Sequence, residues 1–340
     1  MTVQAETAAY EKWLADRIPL VPEDLALKHH ELAGDPLRFL RGTYYLWLQR
    51  VAVLTPDLLK GPQVPAVGDL HVENFGTWRD HRGVRRWGVN DLDELAWGPP
   101  TIDLLRLAVS AVLTPEVAIS PKRICRVLLD AWSTAKPGRA VDLADSGAKH
   151  LRALVPKPPS AARYYGKLRE AAAADPSTLP AAVRKAVNVP DASWHRRQAG
   201  TGSLGHPRIV AVGDDVAREV KVVGPPTADY VDVGLQPDDL LYGRILGTLR
   251  GPDPMRRIAG WQLRGLSPDV ERITIESLRP RAVELVLTSM ARAAADVHGA
   301  VPHHLRDARR FVGTLPSGWL LDGTRRLAED TTALYTQYAG

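Results

Sequence analysis

Apolar residues recur at intervals of three and four through residues 6–16 and 23–33, the spacing that lines one face of a helix. Pro19 and Pro22 divide the two, since proline lacks the donor a helix interior needs. RFLRGTYYLWLQRVAVLTPDLL (38–59) keeps helical spacing, with Pro56 near its end. Between 61 and 100 the pattern changes: short apolar stretches are cut by Gly, Asp and Asn, which predicts strand–loop–strand. Helical spacing returns over 103–113 and 121–135. The stretch 136–190 is rich in Ala, Lys and Pro and reads as short helices on a mobile connection. Residues 194–224 then read as strand, Gly-rich turn, strand, a hairpin turn at Gly213-Asp214-Asp215, and strand. A helix over 237–251, a short strand or connector at 261–266, a long helix over 283–300 and a last helix over 317–338 complete the chain, and no internal repeat is visible.

This is an α+β pattern, and its 340 residues with 45% hydrophobic content are enough for two lobes. The net charge of +5 suits an anionic ligand, but the arginines are scattered rather than gathered into the patch that nucleic acid requires. A single cysteine, Cys125, excludes an internal disulfide and a Cys-x-x-Cys metal site, and it reads as a buried thiol on a helix. No apolar leader core opens the sequence, and no stretch approaches the roughly 18 apolar residues of a membrane span. A cytoplasmic protein with neither nucleic-acid nor membrane partner is expected.

Chemistry concentrates in GDLHVENFG (68–76) and NDLDE (90–94). Phosphoryl transfer needs a carboxylate to take the hydroxyl proton, an amide oxygen for a metal, and a second carboxylate under the phosphates. Asp69 and Asn74 have the Asp-x-x-x-x-Asn spacing that puts the first two on one tight loop. Asp91 would supply the third from the end of a hairpin that contains Trp78, a turn at 80–83 and Trp87. Mg²⁺ takes few hard oxygens from protein and the rest from phosphates and water, so Asn74 and Asp91 suffice, with Asp93 and Glu94 within reach. Read singly, these residues are ordinary turn formers. His71 has no partner at zinc spacing and is read as ordering the loop.

A second signal lies at AGTGSLGHPRIVAVGDDVAREVKVV (199–223). Gly200, Gly202 and Gly205 form G-x-G-x-x-G, with Thr201 and Ser203 between them, in a turn where backbone amides can approach phosphates without Cβ obstruction. A strand follows, so this is not a dinucleotide fingerprint, and no GK[ST] follows, so it is not a Walker loop. Lys221 alternates with apolar residues on a later strand, where a kinase keeps the lysine that meets nucleotide phosphates. The competing reading of Lys221 is a solvent-facing strand residue.

GDLHVENFG with VNDLDELAWGPPTIDLLRLA resembles the catalytic segment of aminoglycoside phosphotransferases and choline kinases. The resemblance is closer to the bacterial domain-of-unknown-function family 2252. It rests on FLRG (39–42), GDLHVENFG, NDLDE, GTGSLG (200–205), EVK (219–221), WQLRG (261–265) and MARAAADVHG (290–299), in that order over nearly the whole chain. It implies a two-lobed, protein-kinase-like fold in circularly permuted order, with catalytic motifs before the Gly-rich loop. The implied division is a helical catalytic lobe over 1–190, a β-rich nucleotide lobe over 191–265 and a helical return over 266–340. The implied roles are Asp69 as catalytic base, Asn74 and Asp91 as Mg²⁺ ligands, Lys221 and the 200–205 loop on ATP phosphates, and Asp103 as a brace of the catalytic loop. Three departures stand out: Val67 replaces the family's loop-bracing histidine, Val222-Val223 follow the lysine, and Tyr242 stands where a glutamate would pair with it. Asp238, Asp239 and Glu219 are the candidate substitutes. The implied function is an ATP- and Mg²⁺-dependent phosphotransferase acting on a small-molecule hydroxyl. AMP transfer to protein and a nucleotide-binding protein without turnover are the alternatives.

Overall fold

Five of the α-helices among the described residues start at a proline that follows a capping or extended residue, because proline's fixed φ suits the first helical position and its missing donor is not needed there. The computed structural model describes residues 2–80, 82–115, 117–198, 200–249, 255–270, 275, 278–301 and 303–340. The first helices are α1 (Val3–Ala15), α2 (Pro22–Leu32) and α3 (Pro36–Gly42), and the Asp35 carboxylate caps α3 by accepting from Arg38 N at 2.8 Å. The run read as one helix over 38–59 is broken. Thr43 leaves helical geometry, its hydroxyl donating to Phe39 O at 2.6 Å, and α4 (Tyr44–Leu54) starts afresh before a 3₁₀ turn at Pro56–Leu59. Such side-chain-to-backbone bonds offer the chain an alternative to continuing the helix.

Strand β1 (Val64–Ala66) leads into the catalytic-type loop, and β2 (Phe75–Arg79) and β3 (Arg85–Val89) form the expected hairpin; His81 in its turn lies outside the described residues. After β4 (Ala96–Gly98) come α5 (Pro100–Val112) and α6 (Pro121–Thr134). The stretch read as a connection holds β5 (Val141–Asp142), α7 (Lys149–Arg152), α8 (Ala161–Arg169) and α9 (Ala181–Val187). Three strands follow, β6 (Ser193–Arg196), β7 (Arg208–Val212) and β8 (Ala217–Val222). Then come β9 (Gln236–Pro237), α10 (Asp239–Leu249), β10 (Arg256–Ile258) and β11 (Trp261–Leu266). Residues 250 and 251 of the expected helix lie outside the described residues. The chain closes with α11 (Pro280–His298), α12 (His304–Thr314) and α13 (Trp319–Ala339).

The strands form three antiparallel sheets ordered β1-β4-β9, β2-β3-β5 and β10-β11-β8-β7-β6. The architecture is α+β. The main core gathers α4, α5, α6, α11 and α13, with Trp132, Leu105, Met290 and Leu327 fully or nearly excluded from water. Ala291, Ala293, Ala294 and Ala295 are buried on α11, so neighbouring elements approach it closely. The five-stranded sheet is covered on both faces by the stretch expected to be a connection. Val183 and Val187 of α9 pack with Ile209, Ala211, Val220 and Leu263, while Tyr165 of α8 packs with Val210, Val212, Ala217 and Leu266. No helix among the described residues is long and apolar enough to cross a membrane.

Candidate functional site

The loop after β1 turns at Gly68, where φ is +84° and a Cβ would lie 2.6 Å from Glu94 O, so only glycine fits. Asp69 follows. Its Oδ1 takes both Arg106 Nε, at 2.8 Å, and Arg106 Nη2. Arg106 is wholly buried on α5, is anchored to Leu40 O at 2.7 Å, and lies over the rings of Tyr44 and Trp47 at 4.9 and 5.0 Å. One carboxylate oxygen is therefore fixed, and Oδ2, 3.9 Å from His71 Nε2, belongs to the cleft. Burial raises the Asp69 pKa; Arg106 opposes this, Asp91 adds to it, and the net direction is upward. His71 Nδ1 accepts from Glu73 N at 3.2 Å, which orders the loop and leaves the ring proton on the side of Asp69.

Asn74 joins the two acidic motifs. Its Nδ2 donates to the carbonyls of Asp69 and Asp91, each at 3.1 Å, and its Oδ1 accepts from Asp91 N at 2.7 Å. Asp91 Oδ1 accepts from Asp93 N at 3.0 Å, and Asp91 lines the cleft. An amide oxygen and a carboxylate on one side of a cleft are the hard donors that Mg²⁺ takes from proteins, so these residues fit it.

Asp103 works from beneath the cleft. Its Oδ2 accepts from Val67 N at 2.7 Å and its Oδ1 from Gly68 N at 2.9 Å. His298, at the end of α11, accepts from Trp132 Nε1 at its Nδ1 (2.9 Å), so its Nε2 carries the proton and donates to Asp103 Oδ2 at 2.8 Å. Asp103 and His298 are both fully buried. The bracing that Val67 cannot provide thus comes from α5 and α11.

The Gly-rich turn sits against this loop. Thr201–Ser203 is a 3₁₀ turn opened by Gly200 (φ +75°), and a Cβ at Gly202 would lie 3.2 Å from Arg41 O and 4.0 Å from Asp69 Oδ2. Gly200, Thr201, Gly202 and Ser203 line the cleft, which has a volume of about 290 Å³. Gly205 faces α2 instead: its carbonyl accepts from Val21 N at 2.8 Å.

Lys221 is buried, and its ammonium pairs with Asp93 Oδ2. Asp93 Oδ1 accepts from Gln262 Nε2 at 2.8 Å, and Gln262 also donates to Tyr242 Oη at 3.0 Å. The lysine's partner is therefore Asp93, from the NDLDE segment, and none of the candidates Glu219, Asp238 or Asp239. Glu219, on the same strand face, is held by Arg197, Arg208 and Arg264. Burial alone would raise the carboxyls of Asp93 and Glu219, but these cations outweigh it and hold both below the usual range. Both Asp93 oxygens are engaged, one by Lys221 and the other by Gln262. Sequence reasoning also passed over Arg106 and His298, whose only signal was a charged or polar side chain in an otherwise apolar helix.

Glu94 lies on the same wall. It accepts from Thr227 N and Thr227 Oγ1, each at 2.8 Å, and burial pushes its carboxyl up to about 8 against those bonds. An acid whose folded pKa exceeds its unfolded value loses stability as pH rises between the two. In metal-free buffer the protein is expected to lose on the order of 1.4 kcal/mol per pH unit between about pH 5 and 8 from this group. Urea unfolding of Glu94→Gln across that range checks it: the variant should give the flatter profile, and parallel profiles would contradict the assignment.

Residues 17–136 match the family described as an uncharacterized protein conserved in bacteria, DUF2252. The DUF2252 match spans Asp69, Asn74, Asp91, Asp93 and Arg106 and ends before the Gly-rich turn and Lys221. No curated protein and no solved structure matches the chain.

Proposed function

We propose that this protein is an ATP- and Mg²⁺-dependent phosphotransferase that acts on the hydroxyl of a small molecule, built on a two-lobed, kinase-like fold in permuted order. The observation that carries the reading is the meeting of two motif sets far apart in sequence: Lys221 pairs with Asp93, and Gly202 lies beside Asp69. The order within the five-stranded sheet supports it. A Gly-rich turn joins β6 to β7, the lysine stands on β8, and α10 follows before β10 and β11, the sequence of parts a kinase uses to hold nucleotide phosphates. The first and last helices also meet, Gln4 Nε2 donating to Gln337 O at 2.8 Å. On this reading the nucleotide lobe begins before α8 rather than at 191, since α8 and α9 pack on its sheet.

Asp69 would accept the acceptor's proton at Oδ2 while Arg106 holds Oδ1, and its raised pKa makes it the better base. Asn74 and Asp91 would hold Mg²⁺, whose charge offsets that of the phosphate oxygens. Lys221 and the amides of the Gly-rich turn would bind and orient the phosphates. The pairing of Lys221 with Asp93 removes the feature that favoured a protein without turnover.

Calorimetric titration with ATP, with and without Mg²⁺, tests the reading. Binding should require Mg²⁺ and weaken about tenfold or more in Asp91→Ala, the loss of one strong charge-assisted contact. Absence of ATP binding by the wild-type protein under both conditions would sink it.

A further inference from the structure

Helix α2 carries a lysine to the cleft and gives it no partner. Leu25 and Lys28 are one turn apart on the same face. Leu25 packs beneath the Gly-rich turn, where a Cβ at Gly205 would come within 2.6 Å of Leu25 Cδ2. Asp24, beside it, accepts from Gln198 Nε2 just before that turn. This face of α2 is thus docked along the Gly-rich segment, and Lys28 emerges on the cleft wall. It is 4% exposed, yet its ammonium makes neither an ion pair nor a hydrogen bond among the described residues. The acid that influences it most, Glu11, is bonded to His29. Lysine is almost never buried so deeply without a partner, because an unpaired ammonium out of water is costly.

Strand register tells which part of the cleft this is. The Gly-rich turn meets β8 at its Lys221 end, where His206 Nδ1 donates to Val222 O at 3.1 Å and Val222 N to Pro207 O at 3.0 Å. From Lys221 one direction runs through Glu219 to Ala217, beside Leu266; the other runs through Val223 and Gly224 to Thr227. Lys28 belongs to the second: Leu25, one turn before it, lies against Gly205, the residue before His206, and a Cβ at Gly224 would lie 2.9 Å from His206 and 3.3 Å from Leu14. On the phosphotransferase reading, phosphates seated on the Gly-rich turn and Lys221 would end here and leave the space beyond them to the acceptor. Burial first, then Lys221 and Lys28, hold the His206 pKa down at about 4, so it adds no positive charge. Tyr10 and Leu14 add apolar surface to this wall, and Glu94, bonded to Thr227, is a carboxyl on it.

We infer, on the phosphotransferase reading above, that Lys28 binds an anionic group of the acceptor, a carboxylate or phosphate, so that the substrate is a small hydroxylated acid. In the reaction the bond between the γ-phosphorus and the ADP oxygen breaks, a bond from the acceptor oxygen to that phosphorus forms, and the hydroxyl proton passes to Asp69.

The test uses full-length protein saturated with Mg²⁺ and a non-hydrolysable ATP analogue, titrated with inorganic phosphate against chloride at equal ionic strength, with the melting temperature as readout. Phosphate should raise the melting temperature of the wild type, Lys28→Arg should keep most of the rise, and Lys28→Met should need about tenfold more phosphate or lose the response. In chloride Lys28→Met should melt at or above the wild-type temperature, because an uncompensated buried charge is gone; a lower melting temperature would mark the lysine as structural and overturn the inference. An unchanged phosphate response in Lys28→Met overturns it too. So does loss of the response to the nucleotide analogue, which would assign Lys28 to the nucleotide. If the analogue has no effect on the wild type, the phosphotransferase reading itself fails and the acceptor assignment falls with it. Phosphate titration of the nucleotide-free protein then decides whether Lys28 is an anion site of another kind.

Discussion

Asp93→Ala is expected to destabilise the protein by about 3–5 kcal/mol, the cost of leaving one member of a buried ion pair without the other. Lys221 is 3% exposed and its ammonium points at Asp93. No other carboxylate on that strand is open to it, because Glu219 is held by three arginines. The loss spreads to Gln262, which donates to the Asp93 carboxylate, whereas Arg257 donates to the Asp93 backbone carbonyl and keeps that bond. Lys221→Met should cost less: the Asp93 side chain is 26% exposed and keeps Gln262. The double variant should recover much of the Asp93→Ala loss, because the stranded charge is gone. Urea unfolding of the four proteins measures this as a coupling energy. Additive single-site effects would show that the pair does not hold the two motif sets together.

That pair also marks the boundary of what the sequence could tell. Asp69, Asn74 and Asp91 fall within one short stretch, where spacing alone puts them on a loop and a neighbouring hairpin, and the chain does so. The partner of Lys221 lies 128 positions away, and the brace of the loop joins residues 195 positions apart. No periodicity encodes such pairings; they exist only after the sheet has been laid across the helical part. The search for a glutamate near Tyr242 followed a family pattern, whereas the space beside the lysine is filled by Gln262 bridging Asp93 and Tyr242. The short helices α8 and α9 are legible in the sequence, but their packing on the sheet is not, for a related reason. Short Ala- and Lys-rich segments look self-insufficient, and their apolar residues gain meaning only against the two faces of a sheet formed later in the chain. Helix α12 went unseen because its buried face is carried by Leu305, Ala308 and Val312, too sparse a stripe among arginines to show as a period.

Asp103→Ala is expected to have the other large effect, about 4 kcal/mol or more, and to displace the loop that carries Asp69. The substitution leaves three donors, Val67 N, Gly68 N and His298 Nε2, facing a fully buried site, and each unsatisfied buried donor costs about 1–3 kcal/mol. Asp103→Asn should fall between the two, since its amide offers one acceptor oxygen and turns its NH₂ toward a donor. His298→Ala tests the outer half of the brace: Asp103 keeps both loop amides, while Trp132 Nε1 loses its acceptor. The discriminating measurement is hydrogen exchange at Val67 and Gly68. Both amides should be among the slowest in the wild type, exchange much faster in Asp103→Asn, and stay protected in His298→Ala. Since Asp69 is the next residue in the chain, turnover under the proposed function should follow Val67 and Gly68 protection rather than global stability. Equal exchange in Asp103→Asn and wild type would mean that the loop is held by Asn74 and Arg106 alone, and that the buried carboxylate serves only the packing of α5 against α11.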